Sequence, residues 1–183
     1  MELIVVLVIL GVIGLLVVGI YNRLVSLRQN VNRGVADIDA QLRQRHDLIP
    51  NLVSTVKGYA AHEAGTLENV IAARNKAAQG AINSADEAQL KIALDKLLAL
   101  AEAYPDLKAN TNFLSLQAEL SDVEDKLAAA RRALNAAVSR YNTGIESFPA
   151  VLFAGMLGFQ QADFHRLDDS EQGVVDQVPE VKF

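Results

Sequence analysis

The sequence predicts an all-α protein in which an N-terminal transmembrane helix continues into an antiparallel bundle of long helices. Three observations predict this fold: an unbroken apolar run at residues 3–20, apolar residues at steps of three and four afterwards, and a low aromatic content of 5%. Apolar residues at those steps form one stripe along a helix, whereas strands favour aromatic and β-branched residues in alternation. Of the 183 residues 51% are hydrophobic, which is sufficient for one packed core.

The apolar run is the predicted membrane anchor, residues 1–21. Residues 3–20 contain no polar side chain, and at about 1.5 Å per residue they nearly match the hydrocarbon core of a bilayer. A signal peptide would carry Lys or Arg before the run and small residues at its end, but Tyr21-Asn22-Arg23 follows it instead. We therefore predict an uncleaved single-pass anchor.

The residues after the run predict the membrane boundary and the orientation of the chain. Tyr21 falls where an amphipathic ring would lie at headgroup depth, and Arg23 and Arg28 follow within the zone in which positive charges set orientation. Because positive flanks stay on the cytoplasmic side, we expect the N-terminus outside and the bundle in the cytoplasm. Tyr21, Arg23 and Arg28 are the predicted membrane-interface residues.

The bundle, residues 22–148, is predicted to hold a long helix continuing from the anchor and three further helices. Pro50 removes a backbone donor and should kink or divide the first helix near residues 47–49. Ser84 followed by Glu87 is a capping box that starts the third helix, and Asn110 is the predicted cap of the last one.

The last helix has the most regular pattern in the chain, and its spacing is that of a heptad seam. Such a seam is typical of coiled coils and antiparallel bundles. Its partner helices lie either within the chain or in a second copy, which would make a homo-oligomer. The residues of the seam are Phe113, Leu116, Leu120, Val123, Leu127, Ala130, Leu134, Ala137 and Tyr141.

Residues 149–167 are predicted to form an apolar cap or interface segment, because large apolar side chains crowd among glycines there. Three interpretations remain open: a flap closing the end of the bundle, an interfacial segment touching lipid, and a contact with another subunit. Residues 168–183 are predicted to be an extended acidic tail. The candidate oligomer or lipid contacts are Phe148, Leu152, Phe153, Met156, Leu157 and Phe159.

Residues 37–53 form the most unusual local stretch of the sequence. Arg43, Arg45 and His46 make a small basic patch, and Arg43 stands four residues before Asp47 on the predicted helix. The patch is either a solvated face or, together with the kink at Pro50, a contact for anionic lipid headgroups or a protein partner. The candidate surface consists of Arg43, Arg45, His46, Asp47, Pro50 and Asn51.

Catalytic signals are missing from the sequence. A net charge of −5 does not provide the basic face that nucleic acids require, and there is no cysteine. The three histidines occur in no ligand spacing, since His62-Glu63 is not followed by a second His on the same helix face. No phosphate-binding glycine loop, nucleophile elbow or Glu-x-x-His pair occurs. We therefore predict no catalytic residue, no cofactor and no metal site.

The stretch 37–53, with Val56-Lys57-Gly58-Tyr59 after it, resembles the LemA family of bacterial membrane proteins. Further similar blocks follow the family order over essentially the whole chain. They are Tyr21-Asn-Arg-Leu-Val25, Ala103-Tyr-Pro-Asp-Leu-Lys-Ala-Asn110, Phe113-Leu-Ser-Leu-Gln117, Tyr141-Asn-Thr-Gly-Ile-Glu-Ser-Phe-Pro149 and the final Val-Lys-Phe183.

The resemblance implies an anchor in the bacterial cell membrane, a cytoplasmic helical bundle, and no established enzymatic activity or cofactor. It also implies relation to a magnetosome protein that acts in building an internal membrane, and relatives often occur near genes for membrane proteases. Three hypotheses follow: a non-enzymatic scaffold that self-associates and organises or remodels membrane, an adaptor presenting a membrane protease or envelope-stress partner, and an enzyme with an unexpected metal. The expected partners are the lipid bilayer and further copies of the chain, with a membrane protease as the alternative.

Overall fold

The structure, a computed structural model, describes residues 1–79 and 84–165, so the acidic tail predicted at 168–183 lies outside the described residues. No strand occurs within these two ranges. The predicted all-α class with a long apolar N-terminal helix is confirmed. The elements are α1 Glu2–Lys57, α2 Ala64–Ala78, α3 Ser84–Ala101, α4 Pro105–Lys108, α5 Thr111–Glu146 and a 3-10 turn, Ala150–Leu152.

The N-terminal part of α1 is the one candidate membrane span within the described residues. Its apolar window has no buried residue, and every side chain at residues 1–16 is exposed. An apolar surface of this extent is typical of a helix that is covered by lipid. The same helix continues to Lys57.

Pro50 lies inside α1, and the helix continues through residues 47–49. Of the two effects predicted for Pro50, a kink or a division of the helix, the division does not occur. Proline has no N–H for the carbonyl four residues earlier, which is that of His46. Nε of Arg74 on α2 donates to the His46 carbonyl oxygen at 3.2 Å. Arg74 thus replaces the hydrogen bond that Pro50 cannot make.

The described residues form two compact units, and α1 and α5 contribute to both. The first unit contains residues 1–38 and 129–165, and the second contains residues 39–79 and 84–128. The core of the first unit consists of Leu24, Tyr141, Ala150, Ala154 and Phe159. The larger core of the second unit includes Ile49, Leu52, Val56, Leu67, Val70, Leu90, Leu97, Leu107, Phe113 and Leu120.

The apolar seam of α5 is buried by the chain itself. Asn110 Oδ1 accepts a hydrogen bond from the Phe113 amide at 3.0 Å, which confirms the predicted cap of this helix. Ala137 of the predicted seam is half-buried, and the neighbouring Val138 is buried instead. Since its own chain covers the seam, this face is not free to bind a second copy. The buried seam residues are Phe113, Leu120, Val123, Leu127, Leu134, Val138 and Tyr141.

Glycines mark the closest approaches within the first unit. A Cβ atom added to Gly34 would lie 3.2 Å from the Leu134 Cα and 3.1 Å from its Cδ1. A Cβ atom at Gly144 would lie 2.7 Å from Leu27 Cδ1. In this unit α1 and α5 therefore pack where a side chain is missing.

Candidate functional site

A buried ionic cluster lies where α1, α3 and α5 of the second unit meet. The side chain of Arg45 is 2% exposed, and its guanidinium donates to Glu87 on α3 and, at 2.6 Å, to Glu124 on α5. His46 Nε2 lies 3.0 Å from the second carboxylate oxygen of Glu87. The cluster thus joins three helices through one guanidinium.

The environment of Glu87 determines its protonation state. Burial alone would raise the pKa of its carboxyl, but the hydrogen bond from His46 and the charges of Arg45 and His46 outweigh it, and the pKa falls below the ordinary 4.5. Glu87 is therefore ionised at neutral pH and only accepts hydrogen bonds. In the contact with Glu87, His46 Nε2–H is therefore the donor and the carboxylate oxygen is the acceptor.

These pairings change the interpretation of the basic patch. Arg45 and His46 are buried, so the prediction that they form an exposed patch with Arg43 is wrong, as is the expectation of a solvated His46. Arg43 is exposed and pairs with Asp39, one turn before it, and not with Asp47. The cause is helical geometry, because residues two apart do not face the same side. Asp47, Pro50 and Asn51 are exposed, as a surface role requires.

Glu87 also differs from its predicted role. The sequence assigned its carboxylate to a capping box with the residue three positions earlier, whereas both carboxylate oxygens bond to α1, one to Arg45 and one to His46. Glu87 and Glu124 were missed as cluster members because their partner Arg45 lies 42 and 79 residues away in sequence. Glu87 lies three residues before Leu90 and Glu124 four residues after Leu120, and an acidic residue in line with an apolar stripe is the signal that could have found them.

An apolar groove lies between the end of α1 and α2 in the second unit. It has a volume of about 460 Å³, and its walls are mostly apolar, with three charged side chains among them. Of the predicted candidate surface, Pro50 lines this groove. The groove could accept an apolar side chain or a short helix from a partner. Its apolar lining includes Ile49, Val53, Leu67 and Ile71, and its charged lining consists of Lys57, Glu68 and Arg74.

Two of the three predicted membrane-interface residues converge on the predicted cap. The Tyr21 ring meets Phe159 edge to face, with the centroids 5.6 Å apart. The Arg28 guanidinium lies 5.2 Å from the centroid of the same ring, in cation–π geometry. Arg23 is exposed. The first turns of α1 after the candidate span are thus in contact with the segment that follows α5.

The predicted contact residues of the cap do not share one face. Phe159 is buried, and Phe153 and Leu157 are half-buried. Phe148, Leu152 and Met156 are exposed, and so is Val151, which the sequence analysis did not select. The inner residues match the predicted flap, whereas the outer residues remain uncovered.

Two asparagines on α5 hold the last described residues of the cap. Asn142 and the backbone of Ala162 exchange two hydrogen bonds, each of 2.9 Å. Asn135 and the backbone of His165 exchange two more, also of 2.9 Å. Asn135 and Asn142 are seven residues apart on the helix, and Ala162 and His165 are three residues apart in extended chain, so both pairs are separated by about 10 Å. The two asparagines can therefore act as two clamps along one segment. Sequence analysis did not identify these asparagines.

The sequence profile of the LemA family matches residues 34–183, which include the ionic cluster and the cap. Magnetosome protein MamQ of Magnetospirillum gryphiswaldense is 23% identical over 79% of this chain and 64% of its own length. Magnetosome protein MamQ 2 of Paramagnetospirillum magneticum is 24% identical with the same coverage.

A third relative matches more completely. Protein LemA of Metamycoplasma hominis is 25% identical over 87% of this chain and 77% of its own length. The chain spans 64% of the length of the two MamQ relatives. With most of its length matched by the family profile, this membrane-associated protein with a candidate N-terminal span belongs to the LemA family.

Proposed function

We propose that the chain is a membrane-anchored, non-enzymatic scaffold that self-associates and organises or remodels the membrane. The observation that carries the proposal is the continuity of α1. This single helix, Glu2–Lys57, contains the candidate span and also supplies Leu24 and Ile49 to the cores of the two units. Because the helix has no linker, it connects the packed helices directly to the anchor.

The pairing of the buried polar groups supports a structural role. Arg45 and His46 both bond to Glu87, so the charged groups of the cluster are paired with one another. Such a cluster fixes which helices are neighbours. The similarity to magnetosome proteins supports a role at a membrane.

The orientation is part of the proposal. Arg23 and Arg28 follow the candidate span, and the proposed arrangement has the N-terminus outside and the helical bundle, residues 22–148, in the cytoplasm. A reporter enzyme active in one compartment, fused after Phe183, tests it. Activity on the cytoplasmic side is expected, and activity on the outer side would reverse the orientation without affecting anchoring.

Self-association must use surfaces other than the seam of α5, which the chain itself buries. The exposed apolar residues of the second unit that are available for this contact include Ile71 and Leu114. Copies in one bilayer share an orientation and a high local concentration, so modest contacts are sufficient for assembly.

The full-length protein in detergent, studied by size-exclusion chromatography with light scattering, tests self-association. A defined oligomer is expected at micromolar concentration, and a strict monomer would remove the scaffold proposal. Imaging the same protein in vesicles then shows whether assembly alters membrane shape. If oligomers form and the vesicles keep their shape, self-association is supported and membrane remodelling is contradicted.

The groove between α1 and α2 favours a second candidate function, an adaptor that presents a membrane protease. Ile71 and Pro50 line the groove, and Ile71 is exposed. Ile71→Glu should abolish co-purification with the protease, whereas Ile92→Glu, at another exposed isoleucine, should not. Reversing the charge of Arg45 is unsuitable because it is buried. If neither variant changes co-purification, the groove is not the adaptor site.

A further inference from the structure

We propose that the exposed apolar face of the cap lies in the membrane interface, among the headgroups and upper acyl chains beside the anchor. This cap face consists of Phe148, Val151, Leu152 and Met156, whose exposed fractions are 80%, 51%, 59% and 87%. The inference rests on the anchoring part of the proposed function and adds a second membrane contact to it. Its ligand is a lipid surface.

The distribution of side-chain sizes in the cap is the first support. Ala150 and Ala154 point into the core of the first unit, while Phe148, Leu152 and Met156 point outward. A segment folded against water alone would bury its large apolar residues and expose its small or polar ones. Phe159 is buried, but Phe148, Leu152 and Met156 point outward on the side where Ala150 and Ala154 point inward. This is the arrangement expected where the outer surface meets an apolar phase.

The position of the cap along α1 is the second support. Its inner residue Phe159 contacts Tyr21 and Arg28, and Leu24 is buried in the same core cluster. Leu24 is four residues beyond the last residue of the apolar run, Ile20, which is about 6 Å along a helix. The interfacial layer on each side of a bilayer is about 5–7 Å thick. The cap is therefore attached at interfacial depth.

The attachment of the cap is the third support, because it prevents the outer residues from turning inward. Backbone amides of Val151, Ala154 and Leu157 each donate to the carbonyl four residues earlier, at 3.0, 2.8 and 2.9 Å. These bonds fix the backbone of the turns from which Phe148, Leu152 and Met156 point outward. The clamps of Asn142 and Asn135 hold the following residues on α5.

Tryptophan fluorescence in the full-length protein tests the inference, because the chain contains no tryptophan of its own. Variants with one tryptophan each are placed in vesicles of phosphatidylcholine and phosphatidylglycerol with brominated acyl chains. Met156→Trp probes the cap face, and Ile13→Trp probes the anchor. Ile92→Trp, at an exposed isoleucine of the second unit, is the matched control. Leu152→Trp repeats the cap measurement in case Met156→Trp does not fold.

The expected result is a blue-shifted emission for Met156→Trp that shallow bromines quench most strongly. Ile13→Trp should be quenched most by deep bromines, and Ile92→Trp only by acrylamide in the water. If acrylamide quenches Met156→Trp as strongly as Ile92→Trp, the cap face lies in water and the inference is wrong. Protection from both quenchers would overturn it in favour of a second copy covering the face.

The anchor variant separates this inference from the proposed function. If bromines quench Met156→Trp and not Ile13→Trp, the cap face binds lipid although the anchoring proposal fails. If they quench Ile13→Trp alone, the anchor is inserted and the cap inference fails.

Discussion

In the second unit, α1, α3 and α5 meet on the buried guanidinium of Arg45, whereas in the first unit α1 and α5 approach at Gly34 and Gly144. The same two long helices are thus joined by charge-assisted hydrogen bonds in the second unit. In the first unit they pack closely because two glycines leave room for the opposite helix. The hydrogen bonds depend on ionisation, and the close packing depends on volume alone.

This difference indicates what each unit specifies. A guanidinium with two carboxylate partners is directional, so it selects particular helix neighbours and leaves an unpaired buried charge in any other arrangement. A glycine contact selects only the distance between two backbones. Substitutions can therefore be chosen that disturb one unit through charge and the other through volume.

Removing the guanidinium should have the largest effect. Arg45→Met leaves the buried Glu87 carboxylate without its main positive partner, and we expect a loss of about 3–5 kcal/mol in the free energy of unfolding. Urea unfolding of the full-length protein in detergent, followed by circular dichroism, measures it. The double variant Arg45→Met, Glu87→Leu should recover much of the loss, because it removes the stranded charge.

Hydrogen exchange locates that effect. Amides of α3 and of α5 near Glu124 should exchange faster in Arg45→Met, while those of the first unit near Tyr141 should change little. Equal acceleration in both units would show that the cluster stabilises the whole chain, and the contrast between the units would be lost.

Acidification should lower the stability of the second unit by less than Arg45→Met does, because protonation of Glu87 leaves the size and shape of its side chain unchanged. The pKa of Glu87 is lowered in the folded protein, so its ionisation stabilises the fold fully above the ordinary 4.5. That contribution is lost as pH falls below 4.5 through the lowered pKa. The stability difference between wild type and Glu87→Gln, measured by thermal unfolding, should shrink over this range. A constant difference would contradict the assignment.

Local signals in the sequence predicted the elements, and distant pairings determined the cluster. The N-terminal capping of α5 depends on Asn110 and an amide three residues later, and the apolar seam depends on the spacing within one helix. Both could therefore be predicted from the sequence. Glu87 has a local explanation as a capping residue, and nothing nearby reveals that it pairs with Arg45. The prediction of an exposed basic patch was wrong for a local and a distant reason. Helical geometry turns Arg43 and Arg45 to different sides, and the burial of Arg45 depends on two helices far along the chain.

The glycine contact of the first unit provides the volume test. Gly34→Val would place side-chain atoms against the Leu134 backbone, and we expect a loss of about 1–3 kcal/mol in the free energy of unfolding. Ala36→Val is the control, because Ala36 is exposed on the same helix and the change costs about 0.6 kcal/mol of helix propensity. Equal losses in the two variants would show that helices in this unit are not held by close approach.

The smallest expected effect concerns Arg74, which donates to the His46 carbonyl that Pro50 leaves without a partner. Arg74→Met should cost about 1–2 kcal/mol, because a part-buried carbonyl loses its donor. Pro50→Ala restores an N–H to α1, and in that background Arg74→Met should cost less than half as much. A double-mutant cycle measured by urea unfolding gives the coupling, expected at about 0.5–1 kcal/mol. Arg74 and Pro50 are coupled only through the His46 carbonyl. If the stability losses of Arg74→Met and Pro50→Ala simply add, Arg74 stabilises the protein through its place in the groove and not through this carbonyl.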